Sequence, residues 1–564
     1  MARRAAMQFV RAQQRLRKLT AEGLSVPKPQ ALIRTGTGRR GRGAYEGARS
    51  DVRELRHWTP GTGSPATDTI PDLPELRART RDLDRNAPIA TGIIETNLDH
   101  VVGTGLFPVP APDHEALGIS EDQARAFGKA ALRVYHAVMN TTRLHIGDRM
   151  TGLQQQWALL RSVLAGGDSF AIRRFRERPG DLLGLKVEYV EAERVTNPND
   201  GMDTEWLQDG IEFDEDRRAT RVWVRSQHPG EALFYAVPTW RGIPVYGSET
   251  GERQVLHCLE QRRLDQPRGV PLLAPVIKPL KQSDEILGNE LTAALVQSLF
   301  TVFIKTLAGD DDGLVLQDLS GTGEHFGPKP DPQELRLGKG LIARLNPGEE
   351  IQLASTNRPN AQLDPFINSV LTMTGAGVGM PHELLVKRFQ SSYSAARAAM
   401  LQAWRAFDRR QTWLVETALQ SLWEWILDEA ILRGYLEAPG FHDDPYIRMA
   451  WCRAEWRGPT REQLDELKEV LAAERRVLAG FSTVAHETSG LTGLDPDQVH
   501  AQRVLEVQRR VAAGLEAPAN AAVTTPTTPT RPRDLGRVPP DTLSDEGGDG
   551  PVDPEVQEAL YGTR

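Results

Sequence analysis

The chain has 564 residues, of which 39% are hydrophobic and 26% charged, and its net charge is −8. That length exceeds what one core serves and predicts several domains, while the negative balance excludes a bulk polycation for nucleic acid. Two cysteines, Cys258 and Cys452, are too far apart for a metal-ligand spacing or a disulfide framework, which points to folding in a reducing cytoplasm.

Residues 1–60 carry 14 Lys and Arg against four Asp and Glu and read as a basic flexible arm, with a short basic helix over 8–19 and a Gly/Arg-rich stretch over 36–48. No apolar run follows this basic start, so no secretory leader is expected. A Pro/Gly/Thr linker over 60–74 leads to a helical pattern over 76–100 with a break at Pro88. Val101-Val102-Gly103-Thr104-Gly105 then reads as a strand leaving through glycines. A helix is predicted over 153–164 and strands over 169–175, 185–190, 211–213, 221–224 and 255–259, which makes this region α+β.

The turn Arg268-Gly269-Val270-Pro271 opens into a helix whose apolar residues Leu280, Leu287, Leu291, Leu295, Leu299 and Phe303 form one stripe. Its most apolar window, 291–304, spans about 14 residues where a membrane crossing needs about 20, so no membrane partner is expected. A Gly- and Asp-rich insert follows over 307–358, with short strands over 314–316, 340–345 and 350–353. The chain returns as a helix over 361–375. Ser392 caps the longest predicted helix, which runs through Trp404, Phe407, Leu414 and Ile426 to Gly434; about 42 residues span roughly 60 Å. A further helix starts at Thr460, with Gln463 completing a capping box, and stops near Gly480. The 516–564 tail is Pro/Thr-rich and then acidic, and reads as disordered.

No enzyme motif survives inspection, and no catalytic residue, metal site or cofactor is expected. Gly36-Thr37-Gly38-Arg39-Arg40-Gly41 fits a dinucleotide fingerprint but lacks the strand before it and the apolar helix after it. His486-Glu487 lacks a second histidine, Gly167-Asp168-Ser169 is no nucleophile elbow, and no Walker A sequence is present. His257-Cys258 within a strand reads as a surface histidine beside a core cysteine. Trp404, Trp413, Trp423 and Trp425 read as core and subunit-interface anchors rather than base-stacking residues. Lys387, Arg388 and Gln390 and the run Asp310-Asp311-Asp312 read as solvated residues on pattern alone, while the helix-flanking Lys278, Lys281 and Lys305 fit plain solvation and a binding role equally well.

Several segments taken in order change that reading. They are Arg81-Asp82-Leu83-Asp84-Arg85-Asn86-Ala87-Pro88, Gly166-Gly167-Asp168-Ser169-Phe170, Asp265-Gln266-Pro267-Arg268-Gly269-Val270-Pro271, Gly379-Met380-Pro381-His382-Glu383-Leu384-Leu385 and Tyr393-Ser394-Ala395-Ala396-Arg397. This series resembles the lambda-type portal (head–tail connector) proteins of tailed bacteriophages, over about residues 75–510. The resemblance implies a multidomain portal fold. Residues 61–270 with the 393–436 spine helix form a wing, 271–306 and 359–381 two stem helices, 307–358 a clip, 382–392 a tunnel loop and 437–515 a helical crown. It further implies a ring, dodecameric in the family, at one capsid vertex of the virion, assembled in the host cytoplasm with major capsid and scaffold proteins. The ring would be a channel for genome packaging and ejection. Lys387, Arg388 and Gln390 would contact double-stranded DNA without sequence specificity, Lys278, Lys281 and Lys305 would line the stem, and Asp310, Asp311 and Asp312 would dock the terminase large subunit and the head–tail adaptor. The alternatives are an assembly-associated nuclease or protease with an unrecognised site, and a nucleic-acid-binding adaptor.

Overall fold

The computed structural model describes residues 52–231, 237–299, 303–304, 343–344, 362–389, 392–461, 466–494 and 496–515. The basic arm up to residue 51, most of the insert and the acidic tail lie outside them. The chain divides into two units: Met1–Pro74 with Gln261–Arg268, and Glu75–Glu260 with Gly269–Arg564.

In the first unit Ser64 caps a short helix, Pro65–Thr69, by accepting the Thr67 N–H at 3.2 Å, and Arg263 donates to the Asp68 carboxylate at 2.7 Å. The buried Gln266 side chain shapes the second segment. Its Oε1 accepts the N–H groups of Arg262 and Arg263, and its Nε2 donates to the Arg268 carbonyl at 2.6 Å.

Helix α1 (Leu73–Asn86) gives way at Pro88 to α2 (Pro88–Val101), because proline lacks the N–H that would continue α1 but suits the first position of a new helix. No strand forms at 101–105. The Leu98 carbonyl instead accepts the N–H of both Val102 and Gly103, ending α2 in a tight turn, and strand β1 (Phe107–Pro110) begins beyond it. Helix α3 (Glu121–Met139), absent from the sequence reading, carries a full capping box between Ser120 and Gln123. Helix α4 (Gly152–Gly166) opens on a second, between Thr151 and Gln154.

The strands β2 (Asp168–Phe175), β3 (Leu185–Glu191), β4 (Leu207–Gln208), β5 (Ile211–Phe213), β6 (Ala219–Arg225), β7 (Trp240–Pro244) and β8 (Val255–Leu259) form two antiparallel sheets, ordered β3-β2-β8 and β4-β5-β6-β7. Strand β2 is buried on both faces. Phe170 and Ile172 enter a small core with Ile211, Val222, Val224 and Ile243 of the second sheet, and Ala171 enters the main core among the helices. A strand with no wet face needs no polar alternation, which is why Phe170-Ala171-Ile172 reads as a continuous apolar run. The order is helices, sheet, sheet.

Helix α5 (Ile277–Leu299) is shorter than its apolar stripe suggested. Phe303 falls in the two-residue strand β9 (Phe303–Ile304), paired in parallel with β10 (Ala343–Arg344). Then come α6 (Leu363–Val378), α7 (His382–Val386) and α8 (Tyr393–Leu414). A π turn over Val415–Leu419 joins α8 to α9 (Gln420–Leu432) without a break. The predicted spine helix thus runs from Tyr393 to Leu432, about 60 Å at 1.5 Å per residue. Its Trp404, Trp423 and Trp425 are buried in the main core. The Trp413 and Trp425 indoles donate to the carbonyls of Leu259, the last residue of β8, and of Arg253, two residues before that strand begins. Helix α10 (Pro445–Cys452), strand β11 (Ala454–Arg457) paired with β1, and helices α11 (Glu466–Leu478), α12 (Val484–Thr492) and α13 (Pro496–Ala512) complete the unit. The region read as a helical crown therefore contains one strand; Gln463 of the predicted capping box lies outside the described residues.

Candidate functional site

The Gly-Gly-Asp-Ser and Arg-Gly-Val-Pro segments, about a hundred residues apart, meet at Asp168. Its carboxylate is fully buried at the start of β2. One oxygen accepts from the buried Arg77 guanidinium at 3.2 Å; the other lies 3.0 Å from His257 Nε2 and accepts the Gly269 backbone N–H at 3.1 Å. Arg77 also donates through Nε to the Gly166 carbonyl at 2.9 Å. His257 stacks on Phe170, its cross-strand partner, with ring centroids 4.3 Å apart. This corrects the expectation of a surface histidine: His257 is half-buried and engaged with a carboxylate, while Cys258 is in the core as expected. Burial pushes the Cys258 thiol up to about 12, which leaves it protonated and unfit as a nucleophile. The arrangement is a clamp that fixes where α5 leaves the sheet region. Nothing in the sequence singled out Arg77. Asp168 was visible only as a failed nucleophile motif, although an acid between a glycine pair and an apolar strand signals a buried, partnered carboxylate.

Glu191, Glu193 and His228 come close enough to one another to resemble a ligand set for a cation. A guanidinium occupies that role. Arg81 donates to both Glu193 oxygens, at 2.7 and 2.9 Å, and to Glu191 at 3.3 Å. Burial alone would raise the Glu193 carboxyl, but the hydrogen bonds and charge of Arg81 outweigh it and hold the group below its usual range. Arg81 opens the Arg-Asp-Leu-Asp-Arg-Asn-Ala-Pro segment, so that motif too is tied down by its partners.

Lys278 and Lys281 lie exposed in the first turns of α5, Lys281 with Glu285 at 3.8 Å. Lys387 and Arg388 follow α7 on a separate element. The 382–392 segment opens as a helix, because Leu384 and Leu385 are anchored in the main core. Lys387 takes a left-handed conformation, φ 53° and ψ 36°, as the cap of α7, and the Arg388 N–H donates to the Glu383 carbonyl at 3.1 Å. Both side chains are exposed, next to the exposed Phe389. Lys305, Asp310, Asp311, Asp312 and Gln390 lie outside the described residues.

Helices α5 and α6 pack together and enclose a groove of about 390 Å³ whose lining includes Ile286, Phe366 and Val370. Both helices also leave large apolar side chains in water. Leu291 is 66% exposed and Met373 75%, with Leu287, Leu295 and Phe366 also exposed. No helix among the described residues is long and apolar enough to cross a membrane.

Two similar proteins are "Portal protein" of Escherichia phage N15, 27% identical over 497 residues, and "Portal protein B" of Escherichia phage lambda, 26% identical over 486. Each alignment covers 83% of this chain and 90% of the relative. Among solved structures, a chain of "Virion of native gene transfer agent (GTA) particle" aligns with a TM-score of 0.39 at 12% identity, over 79% of this chain and 94% of that one. The family described as "Phage portal protein, lambda family" matches residues 51–411, which take in the Asp168 clamp, both packed helices α5 and α6, and the start of the spine. On that match the chain belongs to the lambda family of phage portal proteins.

Proposed function

We propose that the chain assembles into a closed ring, of twelve subunits as the resemblance implies, that stands at one vertex of the virion. Its axial channel passes the genome during packaging and ejection. The observation that carries this reading is the exposed apolar surface of the packed pair α5 and α6. Leu287, Leu291 and Leu295 follow one another along α5, open to water in a single subunit, and Phe366 and Met373 are exposed on α6; exposed apolar surface of this kind marks protein contact surfaces. In this reading α5 and α6 are the stem, the insert over 307–358 is the clip, and α8 with α9 is the spine of the wing. The clip, with Asp310, Asp311 and Asp312, docks the terminase large subunit and later the head–tail adaptor. The arm of residues 1–60 engages the major capsid and scaffold proteins. The subunit assembles in the host cytoplasm and has a structural rather than a catalytic role. Lys387, Arg388 and Gln390 contact double-stranded DNA through its phosphates, and Lys278, Lys281 and Lys305 line the stem channel in a body that is acidic overall. Repeated around a ring, the tunnel cations form a positive collar that holds the duplex without reading its sequence.

Native mass spectrometry and negative-stain images of the purified full chain test the reading. A ring of defined mass with a central hole is expected. A monomer across a wide concentration range that forms no particle with capsid protein would overturn it, and metal-dependent cleavage of DNA by the purified protein would favour a nuclease instead.

A further inference from the structure

We propose that neighbouring subunits join head to tail through two different faces of α5: the Leu287, Leu291 and Leu295 ridge of one copy seats in the groove that Ile286 forms with Phe366 and Val370 of the next. The proposal rests on the ring reading above and names its contact. On α5 the ridge residues follow one another at intervals of four, which keeps them in one line. Ile286 and Leu291 are five residues apart, which at 3.6 residues per turn places them about 140° apart around the helix axis. A projecting apolar face and a receiving groove, in which Gln282, Ser283, Glu285 and Asn289 flank the apolar residues, therefore lie on nearly opposite sides of one helix. An isologous dimer would bring the same patch to itself; two complementary patches on opposite sides generate a heterologous contact, which closes into a ring when the rotation allows.

Charge sets the register. Asp284 and Lys278 are both exposed, and neither makes an ion pair among the described residues. Asp284 lies seven residues before Leu291, about 10 Å along the axis, and Lys278 lies eight residues before Ile286, about 12 Å. With Leu291 of one copy set against Ile286 of a parallel neighbour, the Asp284 carboxylate therefore arrives close to the neighbour's Lys278 ammonium. The five-residue offset is what parallel helices acquire when they are tilted to the axis of a ring. An antiparallel approach would carry Asp284 away from Lys278, so the charges select the parallel arrangement.

Cysteine cross-linking of the full chain tests this. Both native cysteines are buried, and an engineered pair on opposite sides of α5 cannot close within one chain. Oxidation of the double variant Ile286→Cys/Leu291→Cys is expected to give a ladder of covalent multimers on a denaturing gel, with each single variant remaining monomeric. A covalent dimer from Leu291→Cys alone would set ridge against ridge and overturn the proposal. So would a double variant that forms a ring of normal mass and yields no ladder. An exchange of exposed charges checks the register without touching the apolar contact: Asp284→Lys weakens assembly by up to about fivefold per contact, and adding Lys278→Asp restores it. No recovery in the double exchange counts against the register. If the unaltered protein is itself monomeric by native mass spectrometry, the ring reading fails and this contact fails with it.

Discussion

The Asp168 carboxylate accepts the backbone N–H of Gly269 at 3.1 Å, across 101 residues of chain. The same carboxylate receives Arg77 and lies against His257, so one buried acid joins α1, β2, β8 and the turn that launches α5. Replacing it with alanine strips a buried guanidinium of this carboxylate and the Gly269 N–H of its acceptor. Asp168→Ala should cost about 3–5 kcal/mol, measured as a fall in the urea midpoint. Asp168→Asn keeps the shape and should cost less; equal losses in the two variants would show that charge is immaterial there.

Next to that bond the two backbones approach too closely for a side chain. A Cβ on Gly269 would stand 2.0 Å from the Gly167 carbonyl oxygen, and one on Gly167, at φ +93°, would stand 2.4 Å from the Gly269 oxygen. Either change to alanine should lower stability by more than about 2 kcal/mol. Gly288, with nothing within 4 Å of its Cβ position inside α5, is the control: Gly288→Ala should stabilise by up to about 1 kcal/mol. Thermal melts of the three variants compare them directly.

Lys387 and Arg388 can be removed without disturbing the backbone. Because Lys387 has a left-handed conformation, glycine fits its place better than alanine does. Lys387→Gly with Arg388→Ala should leave the proposed ring and its melting temperature nearly unchanged, since exposed charges contribute little to folding. DNA retention in filled particles should fall, most clearly at low salt, where phosphate contacts are strongest. Normal retention at every salt concentration would make these side chains solvated loop charges.

Within α11 and α12, Arg476 donates to both oxygens of Glu487, at 2.8 and 2.6 Å. That hydrogen bonding holds the Glu487 carboxyl down at about 2. A depressed folded-state value means that the pair's contribution is complete above the ordinary glutamate range, near 4.3. It is then lost as pH falls from there towards 2. Measured against the intrinsic exchange rate at each pH, the hydrogen-exchange protection of α11 and α12 should therefore fall over that window, and Glu487→Gln should remove that fall. A variant that retains the same profile would assign the effect to another group.

Much of the element order was legible because periodicity and punctuation are local. Pro88 split α1 from α2, the β-branched run over 221–224 marked β6 although Trp223 blurred which face is buried, and Ser392 marked the start of the long helix. Helix α3 went unread although Ser120 and Gln123 spell a capping box and its buried Ala124, Phe127, Ala131, Tyr135 and Val138 keep helical spacing; three of its buried positions are the small residues Ala124, Gly128 and Ala131, which make a faint apolar stripe. The Val-Val-Gly-Thr-Gly segment looked like a strand since β-branched residues before glycine resemble one; packing in the main core held Val101 in a helix instead. Long-range chemistry was less visible. Arg77 is an ordinary helix residue until Asp168 is brought beside it, and no window of sequence holds both. The groove beside Ile286 was equally hidden, since it exists only where α6 returns along α5.

The π turn at Val415–Leu419 has a consequence for how the long helix serves its neighbours. Hydrogen bonds that reach one residue further than in an α-helix take up an extra residue, and each residue turns a helix by about 100°. Deleting one residue there would make the helix regular but swing Trp423, Trp425 and Ile426 around the axis, taking the two indoles away from the Cys452 and Arg253 carbonyls to which they donate. The turn acts as a phase correction. It lets Trp404 and Phe407 upstream and Trp423 and Ile426 downstream each face a partner that a uniform helix would leave out of step.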